Sequence, residues 1–258
     1  MLRRAAAFLA LAVLLLGAPA ARASDPDALW RIVHDRCVPE QQAHERPRPC
    51  EYVSLEGGWA LLKDRNGVAQ FLLIPTARVT GIEDRALLAP DAPDYFGAAW
   101  HGRHAVLARL ERPLPRDALS LAINSDTGRS QNQLHIHIDC LRPDVRAALH
   151  TEAERIGTAW APFPHGIDGR PYIARRVEQA DLAGVNPLRL LAEAPQVGTG
   201  GIGDWTLVVA GAIFRDGGQQ GTRDGFILLA DRADPARGDR GNGETLQDHA
   251  CTLAHAIE

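Results

Sequence analysis

Apolar and polar positions fall into blocks along the chain, and the period of each block predicts an element. Leu29, Ile32 and Val33, with Trp30 beside them, recur at helical spacing after the start signal Asp25-Pro26-Asp27, predicting a first helix over Ala28 to Cys37. Tyr52 to Leu62 and Val68 to Ile74 are rich in β-formers and are separated by Lys63-Asp64-Arg65-Asn66-Gly67. Asn-Gly between apolar runs marks a hairpin. The second run stops at Pro75, which lacks a backbone donor and belongs at a strand end or edge. A helix is expected from about Tyr95 to Leu110 and a strand from Ser120 to Asn124. The polar turn Ser125 to Ser130 follows, then a strand from Gln133 to Leu141 and a helix from Val145 to Ala161. Residues 162 to 203 alternate short segments with Pro and Gly. Trp205 to Phe214 and Phe226 to Ala230 predict two more strands, joined by the polar loop Arg215 to Asp224. The pattern predicts an α+β fold, an antiparallel sheet flanked by helices, with the last strand pair compatible with a degenerate second half.

The first 23 residues stand apart. Met1-Leu2-Arg3-Arg4 precedes an apolar stretch from Ala5 to Leu16 and small residues up to Ala23, the layout of an export signal. Cleavage after Ala20 or Ala23 would release a body of roughly 235 residues, whereas an uncleaved segment of about 17 residues sits at the lower limit for spanning a bilayer. Both fates place the body outside the cytoplasm, where disulfides persist. Cys37 and Cys50 bracket a short, Pro-rich segment and are read as partners, leaving Cys140 for Cys251, although four cysteines permit three connectivities. The formal charge is −4, and −7 without Arg3, Arg4 and Arg22, so no nucleic-acid partner is expected. Lys63 is the only lysine among 28 basic residues, which we read as biased nucleotide composition. Trp205 to Phe214 is too short to span a bilayer and is read as a buried strand.

The candidate chemistry lies in the strand after the glycine-containing turn. Side chains alternate across a strand, so Leu134, Ile136, Ile138 and Cys140 face the core while Gln133, His135, His137 and Asp139 share the other side. The Ser130 hydroxyl and the amides of Thr127 to Ser130 are positioned in sequence to receive phosphate oxygens. A zinc reading competes, because His135-x-His137-x-Asp139 has a spacing that metal hydrolases use. His101 and His104, on the expected helix, are read as surface groups. A non-enzymatic binder of a nucleotide or lipid headgroup is a further alternative.

The block from Asn124 to Ile138 resembles the active-site segment of the histidine triad superfamily, and closely that of the bacterial CDP-diacylglycerol pyrophosphatase family. Gln70-Phe71-Leu72-Leu73-Ile74-Pro75-Thr76-Ala77-Arg78 and Leu246-Gln247-Asp248-His249-Ala250-Cys251 are similar to other parts of that family. The resemblance implies a histidine-triad-like sheet and a catalytic domain over residues 24–258. It implies a metal-free and cofactor-free hydrolysis of CDP-diacylglycerol, or of another nucleotide pyrophosphate, at the periplasmic face of a bacterial inner membrane. By the same resemblance His135 is the nucleophile, His137 contacts phosphate, and Ser130 and Asn124 bind substrate. Gln133 stands where the superfamily has its first histidine, and an amide supplies no proton there at neutral pH. Arg129 and Arg78 are further candidate substrate contacts. A histidine nucleophile is physically reasonable, since imidazole is largely neutral at pH 7 and a covalent intermediate splits one difficult displacement into two.

Overall fold

The computed structural model describes residues 25–215 and 221–256; the expected export segment lies outside them. Nine strands are described: β1 Tyr52–Ser54, β2 Trp59–Lys63, β3 Phe71–Pro75, β4 Leu119–Ile123, β5 Ile136–Cys140, β6 Ala161–Pro162, β7 Ile173–Val177, β8 Trp205–Arg215 and β9 Thr222–Arg232. They form one antiparallel sheet in the order β1-β2-β3-β5-β4-β8-β9-β7-β6. No described helix is long and apolar enough to cross a membrane. The fold class is therefore the expected α+β, and β8 is fully paired and buried along most of its length.

Helix α3, Tyr95–Leu110, matches its expected span and begins where the Asp94 carboxylate accepts the Gly97 amide at 2.9 Å. It covers one face of the sheet, packing Phe96, Ala99 and Trp100 over Leu121, Ile136 and Ile138. Gly211 of β8 lies under this layer, where an added Cβ would sit 2.1 Å from the Arg116 carbonyl oxygen and 2.8 Å from Trp100. The opposite face is covered in two parts. Over β1 to β3, helix α1, Ala28–Ile32, runs through Val33–Cys37 into helix α2, Val38–His44, and packs Val33 and Cys37 on Val53, Ala60, Leu62, Leu72 and Ile74. Over β4, β8 and β9, helix α4, Pro143–Glu152, packs Val145 and Leu149 with Ala122, Val208 and Leu229. Strand β5 runs between these two apolar clusters, and its polar side faces the seam.

Several boundaries differ from the sequence expectation, each for a local reason. The first helix continues to His44 through a π-type turn at Val33–Cys37, because Pro39 has no amide to continue the α ladder. Tyr52 to Leu62 is two strands, since Glu56-Gly57-Gly58 turns the chain with Gly58 at φ 68°. The expected helix to Ala161 stops at Glu152; beyond it, the Gly157 carbonyl accepts the Arg176 amide and Trp160 Nε1 donates to Leu190 O at 2.7 Å. Strands β6 and β7 and helix α5, Pro187–Ala192, lie in the stretch read as irregular. β9 extends beyond Phe226 to Ala230 at both ends because every residue pairs with β8. Both disulfides join the expected partners, Cys37 with Cys50 and Cys140 with Cys251.

Candidate active site

β5 places His137 opposite Leu72 of β3 and Ala122 of β4, so its ring enters the seam between the two clusters. The alternation read from sequence holds, with Leu134, Ile136, Ile138 and Cys140 in the α3-side core. His135 and His137 sit edge to face with ring centroids 4.8 Å apart. They are 9% and 4% exposed, so solvent retains a narrow approach to His135.

Hydrogen bonds fix opposite proton positions on the two rings. His135 Nδ1 lies 2.8 Å from the Gln133 carbonyl, which only accepts, so the proton is on Nδ1 and Nε2 carries the lone pair. Burial holds the pKa of His135 below its ordinary value, with the nearby Arg129 charge adding to the effect, and keeps this lone pair free at neutral pH. His137 is pushed down to about 3 by burial and by its neighbour His135. Its Nδ1 is 3.1 Å from Gln70 Nε2, an amide donor, so the proton of the neutral ring is on Nε2. That Nε2 is buried and has no partner among the described residues. Glu244 Oε1 lies 3.4 Å from His137 Nδ1, but with His137 neutral this contact is no ion pair.

A charged network continues from this pair. His249 Nδ1 is 2.7 Å from Asp139 Oδ2 and His249 Nε2 is 3.3 Å from Glu244 Oε1. Hydrogen bonds to Asp139 and Glu244 raise His249 to about 10, making it an imidazolium. Burial raises Asp139, and His249 opposes that rise. Burial would also raise Glu244, but hydrogen bonding to His249, the His137 neighbour and the Gln70 amide together hold it near 2. Because the folded pKa of His249 is raised above 6.5, its contribution to stability is complete below about pH 6.5 and is lost as pH rises through about 10. The melting temperature is therefore expected to fall between pH 7 and 9, and calorimetry of His249→Gln should show a shallower decline over that range.

The structure distributes the sequence-predicted residues unevenly. Asn124 lines the seam, its amide 3.4 Å from Glu244 Oε2. Ser130 is exposed, and its hydroxyl has no partner among the described residues. Gln133 is turned to the backbone, donating to Pro75 O and Ala77 O at 2.9 and 2.8 Å and accepting from the Val79 amide. Arg129 pairs with Glu83 at 2.6 Å, while Arg78 pairs with Asp27 and stacks on Trp30. Two of the turn amides expected to be open to phosphate are already used, since Gly128 N and Arg129 N donate to Ser125 O. That turn is pinned at Gly128, where a Cβ would lie 2.6 Å from Gly241 O.

The zinc arrangement is not assembled in this geometry. Asp139 Oδ1 accepts the Cys140 amide and Oδ2 faces His249, while His137 Nδ1 faces Gln70. Among the described residues the one group of converging metal-ligand atoms is Asp139, Cys140 and Cys251, and its two sulfurs are joined in a disulfide. His101 and His104 lie exposed on α3. Sequence reasoning missed Gln70, Glu244 and His249 as site residues. The cysteine pairing held a signal for one of them: joining Cys140 to Cys251 brings His249 beside Asp139.

The comparisons place the chain among enzymes of the hydrolase class, and the candidate site lies on its antiparallel sheet. The chain belongs to the CDP-diacylglycerol pyrophosphatase family, whose model matches residues 24–255. A CDP-diacylglycerol pyrophosphatase of Yersinia pestis is 39% identical over 232 residues, covering 90% of this chain and 86% of the relative.

Proposed function

We propose that the protein hydrolyses CDP-diacylglycerol to CMP and phosphatidate through a covalent histidine intermediate. The observation that carries the mechanism is the proton position on His135: Nδ1 is committed to Gln133 O, leaving Nε2 as an unprotonated nucleophile. Nε2 attacks the phosphorus of the nucleotide phosphate, the N–P bond forms, and the anhydride P–O bond breaks with its electron pair leaving on phosphatidate. The ring then carries a positive charge, and the Gln133 carbonyl stabilises its Nδ1–H. Water next adds to the same phosphorus, the N–P bond breaks, the electron pair returns to His135 Nε2, and the water proton leaves with solvent.

His137 Nε2–H is the donor for a phosphate oxygen, which accounts for a buried N–H that has no partner among the described residues. Ser130 supplies a second, exposed donor. Asn124 lies at the inner end, while Arg129 contributes positive charge near His135 from within its pair with Glu83. Arg78 is engaged with Asp27 and Trp30. Gln133 positions the Pro75 to Val79 segment and the nucleophile rather than touching phosphate. The arrangement fits a histidine-triad-like site in which one histidine has been replaced by this structural amide.

The apolar segment before Asp25 and the two disulfides support export, with the enzyme working on lipid at the outer face of the inner membrane. No metal or cofactor is required by this route. In water enriched in oxygen-18, the label should enter CMP and not phosphatidate, and CMP release should persist in excess chelator. Label confined to phosphatidate would refute attack at the nucleotide phosphorus, and chelator-sensitive release would favour the zinc reading.

A further inference from the structure

We propose that Glu244 and His249, on the segment that crosses the seam near the C-terminus, are positioning residues that set the proton location on His137. The inference rests on the reading of His137 as phosphate donor and adds what keeps it in donor form.

Glu244 is a node. Its Oε1 lies 3.3 Å from Gln70 Nε2, 3.3 Å from His249 Nε2 and 3.4 Å from His137 Nδ1. Its Oε2 accepts from Asn124 Nδ2 at 3.4 Å, and its backbone amide donates to Asn124 Oδ1 at 3.2 Å. An ionised carboxylate only accepts hydrogen bonds, so the end of the Gln70 amide that faces it must be the NH₂ end. The same Nε2 faces His137 Nδ1 at 3.1 Å, so Gln70 donates there too. A ring nitrogen that accepts a hydrogen bond carries no proton, and the proton of neutral His137 is therefore on Nε2. The carboxylate thus decides the amide orientation, and the amide orientation decides the tautomer.

His249 supplies the condition for this logic. Glu244 is mostly buried, and without a cation beside it a buried carboxyl tends to take up a proton and become a donor itself. The imidazolium, clamped on its other side by Asp139, keeps Glu244 ionised. The segment is fastened over the seam by Gln247, whose amide donates to the Ser120 hydroxyl at 3.1 Å and to the His137 carbonyl at 3.3 Å. Cys251 anchors its far end to Cys140.

Replacing Glu244 with Gln removes the constraint, because an amide can face Gln70 with either end. Gln70 is then free to present Oε1 to His137, the ring proton moves to Nδ1, and Nε2 turns a lone pair toward the phosphate oxygen. The test combines steady-state kinetics with long-range proton–nitrogen NMR of the full chain carrying nitrogen-15 histidine, the His137 signals being assigned with His137→Gln. The parent protein should show the Nε2–H form at His137. Glu244→Gln should lose that uniform signature and lower kcat about 100-fold while KM stays within about 3-fold, as expected for a misaligned group that acts in the transition state. Gln70→Met, which removes the amide donor, should shift the tautomer in the same direction, so the proposal is testable even if Glu244→Gln folds poorly. His249→Gln should produce a smaller shift of the same kind.

An Nε2–H form of His137 that survives in the folded variants would overturn the proposal, whether or not activity is lost. So would full kcat in Glu244→Gln. Failure of the histidine-nucleophile reading would appear elsewhere, as normal turnover by a protein lacking His135, and the tautomer measurement in the resting protein is independent of that result.

Discussion

His135→Ala is expected to lower CMP release from CDP-diacylglycerol by on the order of 10⁴-fold or more, because on the proposed route it removes the atom that forms the covalent bond. His137→Ala should cost less, roughly 10² to 10³-fold, the range for losing one donor to a developing charge. The ordering follows from the geometry. His135 Nε2 is the free lone pair on the more exposed of the two rings, whereas His137 offers a single N–H whose nitrogen is buried. Both variants should fold, which circular dichroism and melting curves will check. The decisive comparison is single-turnover CMP release by purified protein spanning residues 24–258, with trapped cytidylyl-protein sought by mass spectrometry. A folded His135→Ala protein with parent activity would remove His135 from the mechanism. Parent activity in His137→Ala alone would leave the nucleophile in place but strip His137 of its role as donor.

Separating Cys140 from Cys251 is expected to be the most damaging change to stability among single cysteine substitutions. Their sequence separation is 111, against 13 for Cys37 and Cys50, and loop-closure entropy grows with the length of chain enclosed. The entropic estimate is about 4.7 kcal/mol for a loop near 100 residues and about 3 kcal/mol for one near 15, with native strain reducing what is realised. A chain of this size shifts its melting temperature by about 2 to 4 °C per kcal/mol. Cys251→Ser should therefore melt roughly 10 °C lower, and Cys37→Ser less far. Activity should respond more sharply still, because Cys251 lies two residues beyond His249 on the segment that also carries Glu244. Melting curves and CMP release in matched Cys251→Ser and Cys37→Ser proteins separate these effects. Equal losses in both variants would show that the crossing segment is held in place without its disulfide.

Much of the fold was legible because local pattern and tertiary demand agree. Helix α3 was readable end to end, a stretch from Tyr95 to Leu110 uninterrupted by proline that begins after the Asp94 cap. The alternation through Leu134, His135, Ile136, His137 and Ile138 survives although regular pairing begins only at Ile136, since the preceding residues keep an extended course into the site. Elements were missed where long-range pairing outweighs local signal. β7 carries Arg175 and Arg176 in its middle and is a strand because its five residues pair with β9. β9 is likewise longer than its apolar centre because β8 supplies a template of equal length. The helix expected to reach Ala161 ended early because Trp160 finds its hydrogen-bond partner on another segment.

The sequence by itself determined which residue types line one side of β5, favoured the cysteine pairing that the structure shows, and by resemblance pointed to a histidine in Gln133 to His137 as the candidate reacting group. Those follow from side-chain alternation and from motif, both properties of neighbouring residues. Only the tertiary structure decided what each histidine can do. The lone pair on His135 Nε2 exists because Gln133 O holds the other nitrogen, and the proton on His137 Nε2 exists because Gln70 faces it. Gln70, Glu244 and His249 reach the site across sequence separations of 67 to 112 residues, and Gln133, read as a substrate contact, is turned away by carbonyls on β3 and just beyond it. Tautomer and ionisation depend on which dipoles and charges lie within about 3 Å of a ring, and no sequence spacing encodes that distance.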